Sequence, residues 1–352
     1  MHTADKIRNF DPNAIGDANN NIYGLPFDVA DASIVIIPVP WEVTVSYNAG
    51  TAEGPEAIFE ASYQVDLYDP LVKDAWKMGL AMDEVNEALK RKGQALREKA
   101  EKYIDLYSQG KLPERHADML QILEEINAAC ADMNAWVKSE ALRYLDQGKF
   151  VALLGGDHST PLGLMQALAE KHKAFGILHI DAHADLRDAY EGFEFSHASI
   201  MFNAIKMKQI SKLVQVGIRD YCEAEVNVIQ SDPRIITYFD RDLKHREYAG
   251  ENWAGICHEI IGKLPEKVYI SLDIDGLDPK LCPNTGTPVP GGLEFEQVLF
   301  LVEKLTASGR KVIGFDLNEV SPGEGEWDAN VAARLLYRMV NLCAPAKIAF
   351  AH

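Results

Sequence analysis

The chain reads as an α/β protein of three layers, α/β/α, around a mostly parallel central sheet, and three observations on its 352 residues lead there. Short apolar runs recur at 32–40, 150–154, 175–180, 212–217, 234–238, 267–273 and 311–317. Between the later ones lie stretches with helical spacing of apolar residues, at 160–172, 197–208, 250–263, 292–307 and 328–342. Apolar strands alternating with helices build a parallel sheet covered on both faces. No internal repeat, low-complexity segment or sharp change of composition divides the chain. A single domain over residues 1–352 is therefore the economical expectation.

Taken in order, residues 1–31 are polar and rich in Asn and Asp, which predicts an N-terminal arm or irregular lead-in. ASIVIIPVP (32–40) is the first strand, and WEVTVSYNAGTAEGPEAIFEAS carries the chain through a glycine-bearing loop into a helix starting near Pro55, a residue suited to a first helical turn. A parallel sheet places its ligands at such loops. Residues 83–148 differ. LREKAEKYIDLY is followed by Met119, Ile122, Leu123, Ile126, Met133, Trp136 and Val137 at spacings of three and four, which predicts a helical insertion ended at Gly148.

Composition narrows the function. The 47% of hydrophobic residues can bury a large core, and 53 acidic against 35 basic residues give a charge of −18. That balance disfavours nucleic acid and anionic membrane as partners and suits metals or a cationic ligand, although solubility alone accounts for much of it. Five scattered cysteines without C-x-x-C spacing read as reduced thiols, and MHTADKIRNFDPNAIGD has no apolar signal core. No apolar stretch approaches the roughly 20 residues needed to span a bilayer. The expected location is cytoplasmic.

The chemistry gathers where apolar runs end. In FGILHIDAHADLRD (175–188) a strand candidate stops at Asp181, His183 and Asp185, and in extended backbone residues two apart point to one side. FVALLGGDHST (150–160) places His158 after a second run, and KVYISLDIDGLDP (267–279) places Asp273 and Asp275 at the end of a third. Ligands of open α/β sheets collect outside the carboxyl ends of the strands, so all six should converge. Two histidines and four aspartates exceed the three protein ligands of a catalytic zinc and suit two divalent ions sharing carboxylates. The oxygen-rich set favours manganese, with nickel or cobalt accepted. Such a pair makes water a nucleophile at neutral pH, which implies metal-assisted hydrolysis. Each motif alone has a plainer reading as a helix cap or solvated turn; three of them after strand candidates do not.

With these residues the chain resembles the ureohydrolases, the arginase and agmatinase family of dinuclear manganese enzymes. The resemblance rests on GGDHST (155–160), DAHAD (181–185), SLDIDGLDP (271–279), TGTPVPGG (285–292) and GFDLNEVSP (314–322), in order over most of 150–352. It implies an arginase-like fold. It also implies that His158, Asp181, Asp185 and Asp273 hold one ion and Asp181, His183, Asp273 and Asp275 the other. By the same resemblance His197 transfers protons, Asp185 steers a proton to the leaving nitrogen, Glu319 holds the guanidinium group, and the protein assembles as a trimer or hexamer.

The substrate is less constrained. LRDAYEGFEFSHAS after DAHAD resembles agmatinase-type members rather than arginases, whose corresponding segment binds an α-carboxylate. A small cationic guanidino compound of the agmatine type is favoured, with release of urea. Asp220 can meet an amine, Arg187 an acid group, and Trp41 and Thr44 can narrow the site, although Trp41 equally suits the core. The loop at 41–53 lacks the arginine common in the family before Gly-Pro. Free guanidine is the nearest rival substrate, followed by arginine and formimino compounds. A non-catalytic metal-binding regulatory protein is the alternative of another kind, opposed by the presence of His197 and Glu319. An oligomer contact is the plain alternative for the insertion.

Overall fold

The apolar runs assemble into one eight-stranded sheet in a computed structural model that describes residues 3–344. Its strands are β1 (Ile34–Val39), β2 (Leu80–Met82), β3 (Phe150–Gly155), β4 (Phe175–Ile180), β5 (Ile210–Ile218), β6 (Ile235–Phe239), β7 (Lys267–Asp273) and β8 (Lys311–Asn318). They lie in the order β2-β1-β3-β8-β7-β4-β5-β6, and every neighbouring pair is parallel. β1, β3 and β4 are buried along their whole length, which is why their sequences carry no polar alternation.

The helices are α1 (Thr3–Asn9), α2 (Gly54–Ser62), α3 (Glu87–Ser108), α4 (Ala117–Leu145), α5 (Leu162–Lys171), α6 (Ile200–Ile205), α7 (Glu223–Ser231), α8 (Asp240–Tyr248), α9 (Trp253–Gly262), α10 (Phe295–Ala307) and α11 (Trp327–Cys343). They pack in two continuous rows, α2 with α11, α10 and α9, and α3 with α4, α5 and α6. Besides α1, which lies in the expected irregular arm, three elements escape the sequence reading. β2 is three residues long, too short to show a pattern. α7 and α8 bury only Glu225 in one case and Asp240 and Leu243 in the other, so neither carries an apolar stripe.

The segment at 83–148 is two helices, α3 and α4, separated by a turn at Gly110 and a short 3-10 turn at Pro113–Arg115. Of the arm at 1–31, residues 1 and 2 lie outside the described residues. The remainder is more anchored than its polarity predicts: Ile22, Tyr23, Leu25 and Phe27 are core residues. The Asn21 side chain donates to Met82 O and accepts from Met82 N, at 3.1 and 2.7 Å. It thereby occupies the outer edge of β2, where an unpaired strand invites another chain.

Register places the site. β4 pairs with β7 through Ile180 and Leu272, so the next residues, Asp181 just past β4 and Asp273 at the last position of β7, stand side by side at the sheet's carboxyl edge. β3, β8, β7 and β4 are adjacent, and all four deliver predicted site residues at their carboxyl ends.

Candidate metal centre and active site

All six predicted metal ligands converge. The Nδ1 of His158, just beyond β3, lies 3.0 Å from Asp181 Oδ2, 3.1 Å from Asp185 Oδ2 and 3.3 Å from Asp273 Oδ2. The Nδ1 of His183 lies 3.0 Å from Asp275 Oδ2 and 3.5 Å from Asp181 Oδ1. Asp181 thus turns one oxygen to each group. A single ring proton cannot serve three carboxylates, and the buried Oδ2 atoms of Asp185 and Asp275 have no hydrogen-bond partner. A cation within each group satisfies these donors together, so the residues fit two metal ions.

The electrostatics agree. Burial disfavours charge on His158, yet the carboxylates of Asp181, Asp185 and Asp273 raise it well above the imidazole range. His183 behaves alike, with Asp275 and Asp181 overcoming burial. Burial and Asp181 push Asp185 up to about 7, and burial with Asp275 and Asp181 pushes Asp273 well up. Burial also opposes charge on Asp181, but the imidazoles of His179, His158 and His183 hold it low. Crowded carboxylates bind protons when no other cation is present, and divalent ions relieve the same crowding.

His179 adds a ligand-like nitrogen that the sequence reading passed over. Its Nε2 lies 2.8 Å from Asp181 Oδ2, within ligand range of the first group. Its tautomer excludes it as a ligand. Thr237 donates to Gln215 Oε1, which turns Gln215 Nε2 toward Ala184 O, 2.7 Å away, and toward His179 Nδ1, 3.0 Å away. Nδ1 therefore accepts, Nε2 carries the hydrogen, and the bond runs from His179 to Asp181. Asp273 Oδ2 is the fourth donor of the first group, while Asp273 Oδ1 accepts from Asp275 N. The signal for His179 was available: it is the one polar residue in FGILHI, two positions before Asp181.

Above the groups lies a cavity of about 130 Å³ lined by Ser46, His183, Asp185, Arg187, Tyr190, His197, Ala198, Asp220, Glu225 and Thr287. His197 stands edge-on to Tyr190, with ring centroids 6.1 Å apart. Burial, then His183, His158 and Arg97, push its imidazole down to about 3. Glu319 is buried beneath. Its Oε1 accepts from His158 N at 2.8 Å, and burial and Asp157 push its carboxyl well up. Asp220 is at the mouth, its side chain 71% exposed and 4.0 Å from His183 Nε2. Arg187 lies over the Tyr190 ring and 3.7 Å from Glu225.

Trp41 and Thr44 are not in the cavity lining. Trp41 is fully buried, and a Cβ on Gly93 of α3 would meet its ring at 3.2 Å, so the structure assigns it to the core. Thr44 is buried with its hydroxyl unpaired. The glycines of GGDH explain the close fit here, since a Cβ on Gly156 would fall 2.0 Å from Trp41 O. Asp185 and Glu319 take left-handed backbone, φ 54° and 63°, which residues with a Cβ adopt mainly where function or packing imposes it.

Comparison with known proteins follows the same lines. A model of the arginase family matches residues 32–341. The N(1)-aminopropylagmatine ureohydrolase of Thermus thermophilus is 32% identical over 314 residues, 89% of this chain and 90% of that protein. The agmatinase of Pyrococcus horikoshii is 27% identical, over 90% and 94%. In fold, the agmatine ureohydrolase of Thermoplasma volcanium superposes with a TM-score of 0.67 at 24% identity, over 96% of this chain and 97% of that one. The match of the family model across residues 32–341, with a relative 32% identical over 89% of the chain, makes this chain a member of the arginase family, hydrolases of guanidino C–N bonds.

Proposed function

We propose that this protein holds two manganese ions and hydrolyses a guanidino compound without an α-carboxylate, of the agmatine type, to urea and an amine. The observation that carries this reading is Asp181 facing His158 through one oxygen and His183 through the other, beneath a cavity lined by His197. His158, Asp181, Asp185 and Asp273 hold one ion; Asp181, His183, Asp273 and Asp275 the other. When bound, the ions make water a nucleophile at neutral pH.

The chain's own residues manage the substrate and the protons. Glu319 does not line the cavity and its buried carboxyl favours the neutral form, but a guanidinium held against its second oxygen would draw it into the charged form and pair with it. Asp185, whose Oδ2 lies beside His158 and has no hydrogen-bond partner, takes the proton that water loses on attacking the guanidinium carbon and passes it to the departing nitrogen. Breaking of that C–N bond leaves urea and a protonated amine. His197, neutral at pH 7, relays protons between cavity and solvent. Asp220, exposed at the mouth, favours a distal ammonium there, while Glu225 is occupied by the Leu186 and Cys222 backbone and by Arg187. The relatives named for agmatine and aminopropylagmatine support the same class. Five unpaired cysteines suit a reducing cytoplasm, and we take the protein to be a homo-oligomer.

One observation favours guanidine as a second reading. A cavity of about 130 Å³ is below the roughly 300–1,000 Å³ usual for ligand sites and suits a compact cation. Specificity constants of the manganese- and nickel-loaded protein for guanidine, agmatine, aminopropylagmatine, 4-guanidinobutyrate and arginine, measured by urea release, decide the matter. Agmatine or aminopropylagmatine in the lead supports the first reading and guanidine the second. Arginine in the lead overturns the class.

A further inference from the structure

The loops that line the cavity lean on the two long helices that connect β2 to β3. Ser46 comes from the loop after β1, and Arg187, Tyr190 and His197 from the segment after β4. That second segment does not hold its shape by local preference. Ala189 and Glu191 both have left-handed backbone, φ 58° and 54°, ahead of Gly192 at 88°. Residues with a Cβ keep this conformation only where their surroundings impose it.

The surroundings are α3 and α4. From α3, Tyr103 donates to Glu191 O at 2.9 Å and packs against Phe193, centroids 5.1 Å apart. From α4, Asn127 donates to Gly192 O at 3.2 Å and accepts from Glu194 N at 2.9 Å, closing the segment as a strand partner would. The other loop is held from the same side. Arg97 of α3 donates from Nη1 to both Val43 O and Val45 O, directly before Ser46. Its Nε pairs with Glu101 at 3.1 Å, and its side chain is 12% exposed. One guanidinium satisfies two carbonyls of a loop that the sheet leaves unpaired.

We propose that Arg97, Tyr103 and Asn127 are positioning residues for the substrate pocket, and that the helices at 83–148 act as a clamp setting its shape and selectivity. The consequence for substrates rests on the guanidino reading above; the mechanical part does not. The sheet delivers the metal ligands, so metal content should be indifferent to the clamp.

The test uses full-length Tyr103→Phe, Asn127→Ala, Arg97→Ala and Arg97→Lys, with hydrogen exchange, metal analysis and kinetics on each. Tyr103→Phe and Asn127→Ala should speed amide exchange across 186–197 and leave β3, β4 and β7 unchanged. Arg97→Ala should do so across 43–50, with partial restoration in Arg97→Lys. With bound metal unchanged, KM should rise about tenfold and the preference between guanidine and agmatine should narrow, since pocket fit supplies discrimination of that order. Unaltered loop exchange overturns the clamp, as does a fall in kcat alone with KM and preference unmoved. Failure to turn over any guanidino compound defeats the functional reading instead, and the exchange data still decide the clamp.

Discussion

His179 donates through Nε2 to Asp181 Oδ2 at 2.8 Å, and the direction of that bond is imposed by Gln215 at the other ring nitrogen. The bond fixes the carboxylate that faces both ligand groups. Hydrogen bonds behind a ligand typically contribute about 10–100-fold in metal affinity. We expect that loss in His179→Phe, and a smaller one in Gln215→Leu, which frees the tautomer. Titration with manganese checks both. Wild-type affinity in the two variants removes the relay from the account.

His197 lines the cavity but belongs to neither ligand group. His197→Ala should therefore retain both ions and lose about 10²–10⁴-fold in turnover, the usual range for a proton-transferring group. Turnover within a factor of two of the parent contradicts the assignment.

The metal-free cluster also makes stability depend on pH. Against burial, neighbouring carboxylates raise His158 and His183; burial and like charge raise Asp185 to about 7 and Asp273 well up. Groups raised by folding stabilise fully below their unfolded pKa values and lose that contribution as pH rises through the folded ones. Asp181, held low, acts only at acid pH, where its contribution is lost as pH falls. Metal-free protein should therefore lose stability as pH rises over the interval around 7 in which Asp185 gives up its proton, and divalent ions, which replace the protons, should remove the loss. Melting curves with chelator and with manganese test this. A metal-free Tm that rises over the interval refutes it.

Trp41 sits under α3 rather than in the cavity. Trp41→Ala should cost ~3–5 kcal/mol of stability, as large aromatic truncations in a core do. Denaturant unfolding measures it. A loss under ~1 kcal/mol together with a changed substrate preference returns Trp41 to the pocket.

Much of this protein is written in local pattern. The strands that are buried on both faces are legible because burial requires unbroken apolar runs such as FGILHI. The six ligands are legible because each follows such a run, and a parallel sheet gathers its strand ends on one side. Patterns fail where an element is too short to show one, as in β2, or buries too little to leave one, as in α8. What only the tertiary structure decided is which side chains meet. The direction of the His179–Asp181 bond depends on Gln215 and Thr237, from β5 and β6. The place of Trp41 depends on Gly93 and Gly156, far apart in the chain. The course of the cavity loops depends on Arg97, Tyr103 and Asn127, whose α-helical setting shows only amphipathic spacing. Hydrogen-bond partners separated by 22 to 88 residues leave no periodic trace in a sequence, because their contact is made by the packing of whole elements and not by the residues between them.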